Sequence, residues 1–510
     1  MKSPSKIGKL GSIFEPIYSI NGSDVLDFKM LLAGGWVSLS QRIEVRSPID
    51  DSVVATVPSA SNKEAEGAVE SSYNNRNLIR TIPAVEKIEI FRRARDLLLE
   101  NKESFTSVLI HEAGKPRSNA EGEVNATAER LKLTPDEYGK IRGEHIPGDW
   151  SEETVGTSAD VLREPLGVVL AISPFNYPLY ITSTKVIPAL LAGNSVVVKP
   201  SSKDPLSFLL FSHILELAGI PKGTLNVITG RGSIGEYLAG HERINMLTFT
   251  GSTEIGKRLA QVAGLKRLHM ELGGKGSAIV LSDADLDLAA AETVRGSPSY
   301  SGQRCDSVSR VLVEKNVADA FVSKVLEEVE GYKLGDPRDP SVKMGPLIDR
   351  EAAERVHGLV LDAIEKGASL LKGGRYDGGY YFPTVLDEVP LDAKIVWEET
   401  FGPVIPIVRV ADVDEAIQLA NKSRYGLDSC VFTNNINLAR KVAKRLEEGE
   451  VTVNAAPRHG VGYYPFGGNK DSGLGREGIG YSIEEMTRLK TIVYNWRPAR
   501  VWSDLVANPD

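Results

Sequence analysis

From residue 165 onward, short runs rich in β-branched residues alternate with stretches of helical spacing. A chain with that rhythm has few options besides a parallel sheet covered by helices on both faces. Strands are expected at Gly167–Ser173, Asn194–Lys199, Thr224–Thr229, Ile244–Phe249 and Arg267–Glu271, with helices near 183–192, 205–218, 233–240 and 252–263 between them. This is a nucleotide-binding architecture. The alternation resumes after Gly276, with strands near 277–281, 310–314, 404–409, 429–432 and 450–454 and helices near 317–329, 350–367, 412–421 and 436–447. A second α/β unit therefore follows the first. Upstream, apolar residues recur at three and four positions through Ala84–Leu99 and Phe105–Ala113, and a third helix is expected from Glu121 toward Tyr138. Short strands are expected at Lys29–Trp36 and Arg42–Glu44, and a late one at Leu489–Tyr494, while 143–157 is polar and rich in Gly and Glu.

Composition narrows the function. At 510 residues, with 42% apolar and 25% charged side chains, the chain has material for two or three domains. A formal net charge of -8 with no basic run leaves no electrostatic footprint for nucleic acid or for an anionic membrane surface. Two cysteines exclude a disulfide framework, and no metal site is expected from them and the 7 histidines. The N-terminus lacks the apolar core of a signal peptide, and no apolar run reaches the roughly 18 residues of a membrane span, so a cytoplasmic protein is expected.

Cys305 lies in Ser301-Gly-Gln-Arg-Cys-Asp-Ser-Val-Ser-Arg310, beside Arg304 and just ahead of a strand. A thiol near a fixed cation is more often thiolate, and a turn of small residues leaves room for a substrate. The competing reading is a buried structural thiol, which is how Cys430, inside the apolar run Asp428–Thr433, is read. Two glycine loops compete for a dinucleotide. Gly230-Arg-Gly232-Ser-Ile-Gly235 matches the G-x-G-x-x-G pattern, while in Phe249-Thr-Gly251-Ser252-Thr-Glu-Ile-Gly256 the glycine permits close approach and the hydroxyls can cap a helix against a pyrophosphate. The pattern alone leaves both open. Lys199-Pro-Ser-Ser202 ends the second strand, where a cofactor ribose usually falls; with a lysine and a small donor instead of an acid it tolerates a 2′-phosphate. Glu271 ends a strand before a glycine pair and is a candidate general base, and Asn176 in Pro174-Phe-Asn-Tyr-Pro178 a candidate oxyanion donor. Arg424, His241, His269 and His357 are read as structural or solvated.

Taken as an ordered series, Pro174-Phe-Asn-Tyr-Pro178, Lys199-Pro200, Phe249–Gly256, Glu271-Leu-Gly-Gly-Lys275, Gly302-Gln-Arg-Cys305, Glu398-Glu-Thr-Phe-Gly-Pro403 and Pro465-Phe-Gly-Gly468 resemble the aldehyde dehydrogenase superfamily over roughly residues 25–494. The resemblance implies an α/β fold with a Rossmann-like cofactor domain (1–142 and 165–272), a catalytic domain (273–475) and a β oligomerisation arm (143–164 with a strand in 476–510). It makes Cys305 the nucleophile, Glu271 the base and Asn176 the oxyanion partner, and it puts the pyrophosphate at Gly251 and Ser252, so that the Gly230 loop becomes secondary. Cofactor contacts are then expected from Ser173, Pro174, Phe175, Lys199, Ser202, Gly232, Glu399 at the nicotinamide ribose and Phe401 at the nicotinamide. Tyr177, Arg304 and Arg458 resemble the substrate-phosphate cluster of non-phosphorylating glyceraldehyde-3-phosphate dehydrogenases, archaeal members above all. A further arginine of bacterial and plant members is missing: Ala126 stands there, with Arg130 one turn on. The implied reaction is NADP-dependent, or less favourably NAD-dependent, oxidation of glyceraldehyde 3-phosphate to 3-phosphoglycerate without inorganic phosphate, through a thiohemiacetal and a thioester. A carboxylate semialdehyde is the alternative substrate, and a dimer or tetramer is implied.

Overall fold

The computed structural model describes residues 7–21, 24–458 and 460–496. An eight-stranded sheet organises the first half. In spatial order it runs Gly473–Leu474, Arg267–Glu271, Met246–Thr250, Val168–Ile172, Ser195–Lys199, Leu225–Val227, Met30–Leu32 and Gly35–Val37. The five strands from Arg267–Glu271 to Leu225–Val227 are parallel, and antiparallel strands close both edges. Val168–Ile172 is buried along its whole length, as a central strand covered on both faces must be. From that strand the chain moves to one side through Ser195–Lys199 and Leu225–Val227, then returns to the other through Met246–Thr250. The carboxyl ends of Val168–Ile172 and Met246–Thr250 thus flank a topological switch point, where α/β sheets open a ligand crevice.

A seven-stranded sheet organises the second half, in the order Ser369–Lys372, Thr384–Asp387, Val404–Val410, Val308–Glu314, Gly276–Val280, Asp428–Phe432 and Glu450–Val453. Glu271 ends a strand of the first sheet and Gly276 begins one of the second, so four residues carry the chain between them. A separate three-stranded antiparallel sheet has Thr157–Pro165 between Glu144–Pro147 and Thr487–Asn495.

Several expectations need correction. The Lys29–Trp36 strand is a hairpin, Met30–Leu32 against Gly35–Val37, because Ala33 and Gly34 both take positive φ and reverse the chain. The helix expected from Glu121 starts at Arg117, immediately after Pro116, whose fixed φ suits the position before a first turn. Leu286–Gly296, an alanine-rich helix capped by the Asp285 carboxylate, was not anticipated. Gly473–Leu474, not anticipated as a strand, pairs with Met270–Glu271 at the edge of the first sheet. Among the described residues no helix is long and apolar enough to cross a membrane, and no group of three or more His, Cys, Asp or Glu is placed to hold a metal ion. Residues 497–510, within the segment 476–510, and His459 lie outside the described residues.

Candidate active site

A cleft of about 1300 Å³ opens at the switch point and ends at Cys305. Its outer wall is built from strand ends. Ser173, Pro174, Phe175 and Asn176 follow Val168–Ile172, Lys199 ends the neighbouring strand and Ser202 follows it, and Gly251 and Ser252 follow Met246–Thr250. Ser252 caps the helix Thr253–Ala263 by accepting from the Ile255 N–H at 3.5 Å. At Gly251 a Cβ would stand 2.5 Å from the tip of the Phe249 ring, so a larger residue there would have to displace that ring. Gly232 also lines the cleft, at the start of the helix Gly232–Gly240, which has no side-chain cap. Both glycine loops therefore border the same space. Lys199 is buried, its Nζ donates to the Pro200 carbonyl at 3.0 Å, and desolvation pushes its pKa down to about 8. The donor set suits a phosphorylated dinucleotide: amides and a hydroxyl at one helix start, a lysine and hydroxyls at the second strand end, and room enough between them.

At the inner end, Glu399 accepts from the Gly274 N–H at 3.1 Å, and burial raises its carboxyl pKa. Phe401 takes φ 47° and sets its ring edge-on to Phe175, with centroids 5.7 Å apart. Cys305 follows a turn in which Tyr300, Ser301 and Gly302 all have positive φ. Two non-glycine residues in that region store strain, and they do so beside the candidate nucleophile. Burial pushes the Cys305 thiol well above the ordinary range, and the carboxylates of Asp306, Asp428, Glu271 and Glu399 push the same way. Asn176 is buried in the same wall.

Glu271 is placed differently. The described residues that wall the cleft do not include it, and its carboxyl is drawn back into a buried group. Oε1 lies 3.1 Å from His269 Nε2, while Oε2 has no hydrogen-bond partner. Burial raises the Glu271 pKa well above the carboxylate range and Glu477 adds to this, whereas Lys185 and Arg476 oppose it. Lys185 Nζ is 3.8 Å from Glu477 Oε2. Sequence reasoning missed Lys185 and Glu477 and read His269 as structural. Lys185, the one charged residue in the helix Tyr180–Ala192, was the available signal; Glu477, in a glycine-rich stretch, carried none.

The expected substrate residues are only partly assembled. Tyr177 is half-buried and edge-on to Tyr300, with Lys115 Nζ 3.7 Å from its ring centroid. Arg304 forms a bidentate pair with Asp306, and its charge is felt at Tyr177. Arg458 instead turns outward to Glu292, at 3.1 Å and 58% exposed, and no hydrogen bond or ion pair joins it to Arg304 or Tyr177 among the described residues. Arg130 is buried and taken up by Glu137 at 3.1 Å. Arg424, read as structural or solvated, borders the outer cleft and pairs with Glu254 at 2.8 Å.

A dinucleotide-sized crevice ending at a single thiol defines an oxidoreductase working through cysteine. The chain belongs to the aldehyde dehydrogenase family, which it matches over residues 36–492. It is 42% identical to the NADP-dependent glyceraldehyde-3-phosphate dehydrogenase of Streptococcus equinus, covering 92% of this chain and 98% of that protein. It is 38% identical to a 3-sulfolactaldehyde dehydrogenase of Priestia aryabhattai, over 93% of this chain and 99% of that one. Among solved structures, the NADP complex of the NADP-dependent glyceraldehyde-3-phosphate dehydrogenase of Bacillus halodurans superposes with a TM-score of 0.90 at 41% identity, covering 92% and 99% of the two chains. The glyceraldehyde-3-phosphate dehydrogenase of Methanocaldococcus jannaschii, also with NADP, superposes at 0.85 with 37% identity, covering 90% and 100%.

Proposed function

We propose that this chain oxidises glyceraldehyde 3-phosphate to 3-phosphoglycerate, irreversibly, with NADP preferred over NAD and water rather than inorganic phosphate as acyl acceptor. The observation that carries the reading is that Cys305 lines the same cleft as Lys199 and Ser202, which offer a lysine and a hydroxyl to a ribose 2′-phosphate from a strand end, 199–203, that has no acid of its own. Ser173, Pro174, Phe175, Gly232, Gly251, Ser252, Glu399 and Phe401 would hold the rest of the cofactor, which when bound accepts the hydride.

The chain's own groups supply the other steps. Cys305 Sγ, as thiolate, adds to the aldehyde carbon, and the carbonyl oxygen becomes an oxyanion. Asn176 Nδ2 and the Cys305 N–H donate to that oxygen, each donor contributing roughly 3 kcal/mol in the transition state. Loss of hydride leaves a thioester. Glu271 swings from its drawn-back position, takes a proton from water, and the resulting hydroxide attacks the acyl carbon; the C–S bond breaks and Cys305 leaves as thiolate. Tyr177 and Arg304 grip the anionic end of the substrate, and Arg458 reaches it only by leaving Glu292. The test is steady NADPH formation from glyceraldehyde 3-phosphate in phosphate-free buffer. No turnover there, with good turnover of a carboxylate semialdehyde, would move the assignment to that second reading, which the planar fork of Arg304 also suits.

The same proposal includes the division into a cofactor domain (1–142 and 165–272), a catalytic domain (273–475) and an arm, a cytoplasmic location and a homodimer or homotetramer. Assembly is supported by Thr487–Asn495, an edge strand that exposes Leu489 and Val493. Light scattering on the purified chain tests it, a monomer being the contrary result.

A further inference from the structure

His269 is buried two residues before Glu271, on the same strand and the same face. Both ring nitrogens are engaged, Nδ1 with Thr248 Oγ1 at 3.1 Å on the adjacent strand and Nε2 with Glu271 Oε1 at 3.1 Å. The recess that takes the carboxyl is shaped for it from the other side as well, since a Cβ on Gly467 would stand 2.9 Å from the same Oε1. Charged groups facing the pair are Lys185 from the helix Tyr180–Ala192 and Glu477, Arg476 and Glu485 from the C-terminal segment. Burial, followed by Lys185, pushes the imidazole down to about 3, so it stays neutral at any working pH.

We propose that His269 is a positioning residue for Glu271: anchored by Thr248, its imidazole holds the carboxyl back from Cys305 until the thioester has formed, and its Nε2–H stabilises the carboxylate formed in the recess before it swings out to serve as base. This deepens the proposed function and rests on Glu271 acting in thioester hydrolysis. A neutral imidazole carries one N–H, so donation from Nε2 to Oε1 requires Nδ1 to accept from the Thr248 hydroxyl, and the strand pairing places that hydroxyl where it is needed. While the carboxyl stays in the recess, the space beside Cys305 is free for hydride transfer. Without the imidazole, neither oxygen of Glu271 would have a hydrogen-bond partner, because Oε2 already has none.

The experiment uses the full chain and p-nitrophenyl acetate, which acylates a reactive cysteine with release of nitrophenolate and so separates acylation from hydrolysis without depending on which aldehyde is the substrate. In His269→Leu the initial burst should match the parent, while steady hydrolysis at neutral pH falls about tenfold and its pH midpoint rises by about one unit, the change that corresponds to about 1.4 kcal/mol. His269→Gln, which keeps an N–H donor, should recover most of the parent profile, and Thr248→Val should move it the same way as Leu but less. An unmoved midpoint in His269→Leu, a Gln variant as impaired as Leu, or a burst lost along with hydrolysis would each overturn the proposal. Glu271→Gln run alongside separates the two readings. If it hydrolyses the acyl enzyme at the parent rate, the role of Glu271 falls; if it stalls while His269→Leu is normal, only the role of His269 does.

Discussion

Arg304 and Asp306 face each other across Cys305, with Nε 3.0 Å from Oδ1 and Nη2 2.7 Å from Oδ2, and both side chains are largely shielded from solvent. The guanidinium charge beside the thiol is therefore already compensated. Burial works against that charge, but Asp306 more than offsets it, so Arg304 stays cationic and held in one plane. With Nε and Nη2 donating to Asp306, an incoming phosphate would meet the outer, Nη1 side of a guanidinium already fixed in orientation. Arg304→Gln should raise KM for glyceraldehyde 3-phosphate on the order of thirtyfold, as expected for about 2 kcal/mol from a buried charged contact, with a smaller change in kcat. Steady-state kinetics with this substrate and an uncharged short aldehyde check it; equal losses on both would remove Arg304 from anion binding.

The same pair bears on the nucleophile. Burial is the main force raising the Cys305 thiol, and Asp306 is the foremost of the carboxylates that add to it. Asp306→Asn removes a negative charge and leaves Arg304 uncompensated, and both effects favour thiolate. Iodoacetamide labelling of Cys305 followed against pH should show its midpoint about one unit lower in the variant, within the range for loss of a like-charged neighbour. A midpoint that stays or rises would refute this electrostatic account.

How far the sequence could be read follows from what sets each feature. The parallel strands and the helices between them were legible because burial on both faces enforces β-rich runs of fixed length, and Val168–Ile172 and Ser195–Lys199 fall where the pattern puts them. The hairpin at Ala33 and the pairing of Gly473–Leu474 with Met270 were not, because one depends on local positive φ and the other on a contact across some two hundred residues. At the site, residues in strand-end loops came from motif order. The buried group behind Glu271 stayed hidden, since Lys185, His269 and Glu477 meet only after three separate segments pack together.

Glu271 is a buried carboxyl whose pKa burial raises well above the ordinary range, and as the proposed base it would have to lose its proton first. Hydrolysis of the thioester should therefore fade as pH drops below its raised pKa, while formation of NADPH in the first turnover follows the thiol instead. Glu271→Gln should give one burst of NADPH per active site and then slow by on the order of a hundredfold or more, the scale of a lost general base. Rapid mixing with absorbance at the reduced-cofactor band reads both phases. Undiminished steady turnover would exclude the assigned role.

Ser202 lines the cleft just past the end of the strand Ser195–Lys199, beside Lys203, which is paired with Asp349. A carboxylate at this point would accept from a ribose 2′-hydroxyl but repel a 2′-phosphate. Ser202→Glu should lower kcat/KM for NADP relative to NAD on the order of a hundredfold, the several kcal/mol of like-charge juxtaposition. Parallel titrations with the two cofactors decide it, and an unchanged ratio would place the 2′-position elsewhere.

Lys199 supplies the most direct pH signature of cofactor binding. Desolvation alone brings its pKa down to about 8, and its Nζ has a backbone carbonyl as hydrogen-bond acceptor rather than a carboxylate. A bound phosphate would favour the charged form and raise that pKa, so binding draws in a proton wherever the free amine is neutral. The sign follows: NADP affinity should be level below about pH 8, where Lys199 is already charged, and weaken above it by up to about tenfold per pH unit until the raised pKa is reached. NAD, lacking the 2′-phosphate, should show a shallower slope. Lys199→Met should bind NADP more weakly at neutral pH and lose the slope altogether. Calorimetry in buffers of different ionisation enthalpy counts the proton directly, and a parent protein that takes up none at pH 9 would show that Lys199 stays outside the phosphate's reach.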